Sequence, residues 1–323
     1  MPDRSSATVL YIGGFGRSGS TLLAYLLGQL DGYVVAGELK YVWQNGVKDN
    51  ELCGCGVPFS DCPFWQDVGQ AAFGGWNEVD VDDVLALQSR VTSARSVLAR
   101  LAHRKASPDF ARLSLLLRLL YQAILDVSGG RVVVDTSKTP VEALMLASSP
   151  GIDCRVIHLV RDSRGVAFSW AKTGIRLPQI VNREALMLDY SPLYIAPRWV
   201  YGNLFFELLR ATTPTARLRY EDLTNAPEEH VERALNNCGI LGGGEAVSIP
   251  DSRSVELGTL HTLGGNPMRF ERGSAPIKRD EAWRRELPRG ARRAVTAVTW
   301  PLLLGYGYLG PRSGEPARSV SAT

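Results

Sequence analysis

The stretch GGFGRSGSTLLAYLLGQL, residues 13–30, decides the fold. It follows the apolar run TVLYIGG and opens an apolar helical pattern, so a glycine-rich turn joins a strand to a helix. Gly14 and Gly19 stand at the spacing of a nucleotide-binding P-loop and Thr21 fills its last position, but Ser20 stands where that loop carries lysine. Glycines let successive N–H groups curl around an anion, and the helix N-terminus adds partial positive charge. The missing lysine normally spans the β and γ phosphates, so its loss argues against a triphosphate. Arg17, three residues upstream of Ser20, is placed to reach a single phosphate and the group attached to it. The plain alternative is a glycine turn that only packs a helix on a strand.

Outward from this loop, short β-branched runs alternate with helical patterns. The runs cover residues 8–14, 33–38, 131–135, 155–160 and 216–220. Strands separated by helices need crossover connections, which predicts an α/β fold: a P-loop-like three-layer sandwich around a central, mostly parallel sheet. TPVE at 139–142 reads as a helix start with Thr at the cap, Pro at the first position and Glu at the third, and NAPEEHVERAL is expected to open similarly at Asn225. Residues 81–127 read as two long helices with no strand between. The domain is thus expected over residues 1–312, with 76–130 an inserted helical layer and 313–323 a flexible tail.

The 323 residues, 45% of them hydrophobic, suffice for a full core. The formal net charge is only +3, so no broad basic field exists to hold nucleic acid, and an anionic ligand has to be met by locally placed basic groups. The start of the chain lacks the pattern of a secretory leader, which sets the expectation of a cytoplasmic protein. Two apolar stretches, 113–127 and 294–310, are interrupted by Arg118 and Gln122 and by Pro301 and Gly305. Both fall short of the ~20 apolar residues of a membrane span and read as core helices, with membrane-surface association left open for the second.

GRSGSTLL resembles the 5′-phosphosulfate loop of sulfotransferases that use 3′-phosphoadenosine 5′-phosphosulfate (PAPS), in particular the tyrosylprotein and bacterial branches. VIHLVRDSRGVAFSW, 156–170, is similar to the same family's 3′-phosphate element: a strand ending in Arg161 and a helix carrying Ser169 eight residues on. LRYEDL, 218–223, resembles the family's Tyr-Glu-Asp strand end, which makes Tyr220 a candidate adenine contact. HTLGGNPMRF, 261–270, resembles a C-terminal segment that closes over the nucleotide through Asn266, Arg269 and Arg272. The resemblance implies PAPS as donor, with Arg17, Ser18, Gly19, Ser20, Thr21, Leu22, Arg161, Ser169, Tyr220, Asn266 and Arg269 around it, no metal, and a small-molecule, sugar or lipid-like hydroxyl acceptor. Residues 41–43, the inserted helices and 174–194 are expected to shape the acceptor pocket.

The reacting groups follow from the chemistry. Moving a sulfuryl group requires an aligned acceptor and neutralised charge on the bridging oxygen, for which Arg17 is the obvious residue. Glu38 ends the second strand, where open α/β sheets gather ligands, and relatives place a base there; a first-turn helix acid is its bland alternative. Lys138, after the third strand, is either a second contact to the sulfuryl group or a solvated side chain. His158, inside an apolar strand, reads as core. Asp135 closes another strand and gives a P-loop kinase its best support, as a magnesium-holding carboxylate. A kinase using ATP and magnesium and a non-catalytic nucleotide-binding module are therefore the rival readings.

Cys53, Cys55 and Cys62 cluster in CGCGVPFSDCPFW. The C-x-C-x6-C spacing departs from the usual zinc pairs. One disulfide with a thiol left over and zinc with an external ligand both remain open, and no metal ligand set is assigned.

Overall fold

A computed structural model describes residues 6–93, 96–97, 107–174, 176–180, 185–241 and 247–309. The expected tail at 313–323 and most of the stretch between the two inserted helices lie outside them.

Five strands form one sheet: β1 (Ala7–Gly14), β2 (Tyr33–Gly37), β3 (Val132–Lys138), β4 (Ile152–Val160) and β5 (Thr215–Arg219), in the order β2-β3-β1-β4-β5. All four pairings are parallel. Each expected strand is present, and β3 runs three residues past its expected end, to Lys138. The sheet forms because alternate residues are apolar on both faces. Ala7, Val9, Tyr11, Val133 and Val156 face one side, where they meet α2 (Pro63–Phe73), α3 (Val81–Thr92), α4 (Pro108–Ser128) and α5 (Pro140–Ala147). Leu10, Ile12, Val134, Ile157 and Leu159 face the other, under α1 (Ser20–Leu27) and α8 (Pro227–Asn237). A third cluster joins α6 (Ser163–Trp170), α7 (Pro192–Leu209) and α9 (Arg289–Gly305) beside the end of β4.

The helical layer begins earlier than expected, at α2. Its Trp65 packs with Phe59, Trp76 and Trp43 as an aromatic core that had no periodic signal in the sequence. The cap of α8 is Ala226, not Asn225, and it forms no side-chain cap bond. At α5 the expected Thr139–Glu142 pair forms, but the Thr139 hydroxyl donates to the Glu142 carboxylate instead of capping a backbone N–H. A two-stranded antiparallel ribbon, β6 (Ser254–Leu257) with β7 (Gly273–Pro276), was not foreseen. Among the described residues no helix is long and apolar enough to cross a membrane. In α9, Val295, Thr299 and Leu303 are buried while Val298, Trp300 and Leu304 are exposed, so the expected core helix is amphipathic.

Strands are added on one side of β1 and then on the other. The connections therefore diverge at β1, and a crevice opens at the carboxyl ends of the strands.

Candidate active site

Each strand delivers one polar residue to that crevice. Arg17 follows β1, Glu38 follows β2, Lys138 ends β3, Arg161 follows β4 and Tyr220 follows β5. All five line one cleft of about 680 Å³, within the ~300–1,000 Å³ of small-molecule sites.

The first loop is shaped by close approach. Gly14 pairs with Leu159 of β4 at φ 121°, and a Cβ there would lie 2.2 Å from the Leu159 carbonyl oxygen. Gly19, at φ 95°, is pressed by the Tyr220 ring, 2.5 Å from where a Cβ would sit. Between them Arg17 takes φ 68°, a left-handed conformation that costs a non-glycine residue roughly 1–3 kcal/mol. Gly19 then starts α1 with no side-chain cap and no acid in the first turn. The first intrahelical bond runs from the Leu23 N–H to the Gly19 carbonyl, so the N–H groups of Ser20, Thr21 and Leu22 point forward from the helix start. The Ser18 hydroxyl is buried there without a hydrogen-bond partner among the described residues.

The Arg17 guanidinium lies 5.2 Å over the Trp170 ring and touches the Met187 sulfur. The Trp170 indole N–H in turn donates to the Gly16 carbonyl at 3.2 Å. Burial lowers the Arg17 pKa, and among the described residues no carboxylate pairs with it. A desolvated cation of this kind is stabilised by an anionic ligand.

Arg161 ties the second junction to the first. Its Nη1 donates to the Arg17 carbonyl at 3.1 Å, while Nη2 donates to the Asp280 carbonyl at 3.0 Å and the Asp280 carboxylate at 3.1 Å. The guanidinium stacks 4.5 Å over Tyr220, whose hydroxyl donates to the Lys278 carbonyl and accepts from the Asp280 N–H. Burial works against the Asp280 carboxylate, yet the bonds from Arg161 and the Ala282 N–H hold its pKa below the usual value. Asp162, the other acid beside Arg161, instead caps α6 and pairs with Arg164. Ser169, near the end of α6, faces the cleft. Sequence reasoning missed Asp280, because nothing local links it to a residue 119 positions away.

At the other end of the crevice Lys138 Nζ forms an ion pair with Glu38 Oε1, and both side chains are largely buried. Lys138 holds a left-handed φ of 67°. The Glu38 N–H donates to the Leu263 carbonyl at 2.8 Å, and Gly264 and Gly265 pack against the Glu38 side chain.

Several expected residues lie elsewhere. Arg269 is buried but directs its guanidinium to the carbonyls of Thr262 and Leu52, and Arg272 reaches Gly54 O. Both brace the 52–54 loop and do not line the main cleft, although Arg269 borders a small adjoining pocket with Glu38. Asn266 lines the cleft while its side-chain oxygen caps the turn Pro267–Phe270. Asp135 is sealed in the core, accepting from the Tyr121 hydroxyl at 2.5 Å and from the N–H and hydroxyl of Ser137 at 2.7 and 2.5 Å. Burial pushes its pKa up to about 6 despite those bonds. His158 is core, bonded to Asn203 and stacked on Phe206. Of the segments expected to shape an acceptor pocket, 174–194 supplies Leu177, Gln179, Leu186, Met187, Leu188 and Tyr190; residues 175 and 181–184 lie outside the described residues. Among the described residues Trp43 and the inserted helices do not line the cleft; Trp43 is buried in the aromatic core instead.

No family model and no curated protein matches this chain. Among solved structures it is similar to the sulfotransferase domain from the Synechococcus PCC 7002 olefin synthase, with a TM-score of 0.48 and 17% identity over 96% of this chain and 98% of that one. It is also similar to the sulfotransferase domain from the curacin biosynthetic pathway, with a TM-score of 0.47 and 18% identity over 93% and 98% of the two chains.

Proposed function

We propose that this chain is a sulfotransferase that moves a sulfuryl group from PAPS to a hydroxyl of a small-molecule, sugar or lipid-like acceptor. The observation that carries this reading is the pair of basic receptacles, Arg17 with the start of α1 and Arg161 with Ser169, opening into one cleft whose far end holds the Glu38–Lys138 pair. The donor chemistry fits the residues. Arg17 has no carboxylate among the described residues, the Ser18 hydroxyl has no partner, and α1 starts without a cap. These groups suit the 5′ end of the donor, while Arg161 and Ser169 suit a 3′-phosphate and Tyr220 an adenine face.

When bound, PAPS supplies an S–O–P linkage whose sulfur–oxygen bond breaks as a new one forms to the acceptor oxygen, the bridging electron pair leaving with the 5′-phosphate. Arg17 and the α1 N–H groups neutralise the charge that gathers on that phosphate. The Glu38 carboxylate takes the acceptor hydroxyl proton, held in place by the Leu263 carbonyl behind its own N–H and by Lys138. Lys138, which also lines the cleft, is the second cation available to the sulfuryl oxygens. Trp170, Leu177, Met187 and Leu188 form an apolar wall that keeps water from the transfer and suits an apolar acceptor. The same residues argue against a kinase. Ser20 replaces the phosphate-spanning lysine, and the one candidate metal carboxylate, Asp135, is closed off by Tyr121 and Ser137.

The test is turnover. The chain is incubated with PAPS and a panel of phenols, sugars and long-chain alcohols, and adenosine 3′,5′-bisphosphate release is followed with and without added magnesium, beside a parallel incubation with ATP. Acceptor-dependent release indifferent to magnesium is expected; ATP consumption dependent on magnesium would favour the kinase.

A further inference from the structure

The cysteine cluster acquires a fourth member in the fold. Cys53, Cys55 and Cys62 lie in the loop before α2, and His261 arrives from the segment that leads to Gly264 and Gly265. The ligand atoms of the four all lie within 4.8 Å of one another. Cys62 Sγ is 3.7 Å from Cys53 Sγ and 3.7 Å from Cys55 Sγ. His261 Nδ1 is 3.2 Å from Cys62 Sγ and 3.8 Å from Cys53 Sγ. A tetrahedral ion with metal–sulfur bonds of about 2.3 Å and a metal–nitrogen bond of about 2.0 Å needs S···S edges of about 3.8 Å and S···N edges of about 3.5 Å. The observed edges fall around those values. A disulfide would need about 2.05 Å, and none of the three thiols is in one.

The surroundings hold this geometry. The Cys53 N–H donates to the Val57 carbonyl and the Gly56 N–H to the Cys53 carbonyl, both at 2.8 Å, in a turn that Gly56 closes at φ 97°. Cys62 stands at the N-cap of α2, ahead of Pro63, and its side chain makes no cap bond there. The His261 ring stacks on Phe64 with centroids 4.9 Å apart, which fixes the direction of its nitrogens. Gly54 N–H donates to the Thr262 carbonyl at 2.9 Å, docking the two segments beside the cluster. Arg269 and Arg272 donate to the Leu52 and Gly54 carbonyls, on either side of Cys53, and brace the loop that carries the first two thiols.

We propose that Cys53, Cys55, Cys62 and His261 form a closed Cys3His site for a structural zinc ion. Four protein ligands leave no open position, and thiolates with one imidazole in tetrahedral array select zinc among common divalent ions. The ion joins parts of the chain 199 residues apart. It anchors the segment whose Leu263 carbonyl receives the Glu38 N–H and whose Gly264 and Gly265 pack on Glu38. The site stands whether or not the transfer chemistry proposed above is correct.

The test uses the full chain, purified under reducing conditions from zinc-supplemented culture, with metal content measured by plasma mass spectrometry. About one zinc per chain is expected, still present in Cys154→Ser and Cys238→Ser and reduced below about a tenth of an equivalent in Cys62→Ser and His261→Ala. Because those last two variants can misfold, cobalt is also titrated into the metal-free wild type. One equivalent should give thiolate-to-cobalt charge transfer and the intense visible bands of a tetrahedral site, and His261→Cys should keep the stoichiometry while shifting the bands. A folded wild-type chain, judged by circular dichroism, that carries no stoichiometric zinc and gives no charge-transfer band with cobalt overturns the proposal.

Discussion

Replacing Arg161 with Ala should separate the two ends of the donor. In the structure this guanidinium is almost fully buried and spends its donors on the Arg17 carbonyl and on Asp280. A charge-assisted contact to a phosphate is worth roughly 1.5–3 kcal/mol, and part of it is offset because the phosphate has to displace the Asp280 carboxylate. At about 1.4 kcal/mol per tenfold, Arg161→Ala should weaken adenosine 3′,5′-bisphosphate by about 10- to 100-fold. The same truncation removes the bond to Arg17 O and loosens the first loop. That loss falls equally on adenosine 5′-phosphate, so the difference between the two nucleotides isolates the 3′ contact. Calorimetric titration of both into the wild type, Arg161→Ala and Arg161→Lys supplies the comparison. Lysine should recover part of the bisphosphate affinity, because it keeps the charge but not the fork. Equal losses for the two nucleotides would refute the assignment of Arg161 to the 3′-phosphate.

Three further outcomes are expected. Glu38→Gln should lower acceptor-dependent turnover by about 10²- to 10⁴-fold while bisphosphate affinity stays within about threefold; unchanged turnover would show that Glu38 is not the base. Asp280→Asn removes the carboxylate that occupies Arg161 and should tighten bisphosphate binding about three- to tenfold, the gain being modest because the side chain is partly exposed; weaker binding would show that Asp280 positions Arg161 instead of competing for it. Asp135, with its folded pKa near 6 against an ordinary 3.8, holds its proton more tightly in the native chain, so its contribution to stability is full below about pH 4 and is lost as pH rises through 6. At about 1.36 kcal/mol per pH unit that loss is about 3 kcal/mol, and urea unfolding of Asp135→Asn between pH 4 and 7 should be flatter by this amount; parallel profiles would contradict it.

The sheet was legible because its strands are buried on both faces, so apolar runs such as TVLYIGG and RVIHLV stand out against their flanks. The loop was legible for a related reason: Gly14 and Gly19 are imposed by contacts with Leu159 and Tyr220 that exclude any side chain, and a spacing survives in the sequence. The β6–β7 ribbon was not legible, since GSAP carries a glycine and a proline and is largely exposed. Nor was the direction of Arg269. A guanidinium facing backbone carbonyls and one facing a ligand have the same sequence, and the deciding carbonyl of Leu52 lies 217 residues away. His261 escaped for the same reason, being joined to the cysteines only by the fold. Long-range partners of this kind, Asp280 among them, are set by topology and leave no local pattern.

The most direct measurement of the central claim is calorimetric titration of the wild-type chain with adenosine 3′,5′-bisphosphate, run beside ATP with magnesium. One bisphosphate per chain, bound far more tightly than ATP and indifferent to magnesium, is what the two basic receptacles at the ends of β1 and β4 predict. Tight, magnesium-dependent ATP binding with no heat from the bisphosphate would contradict it.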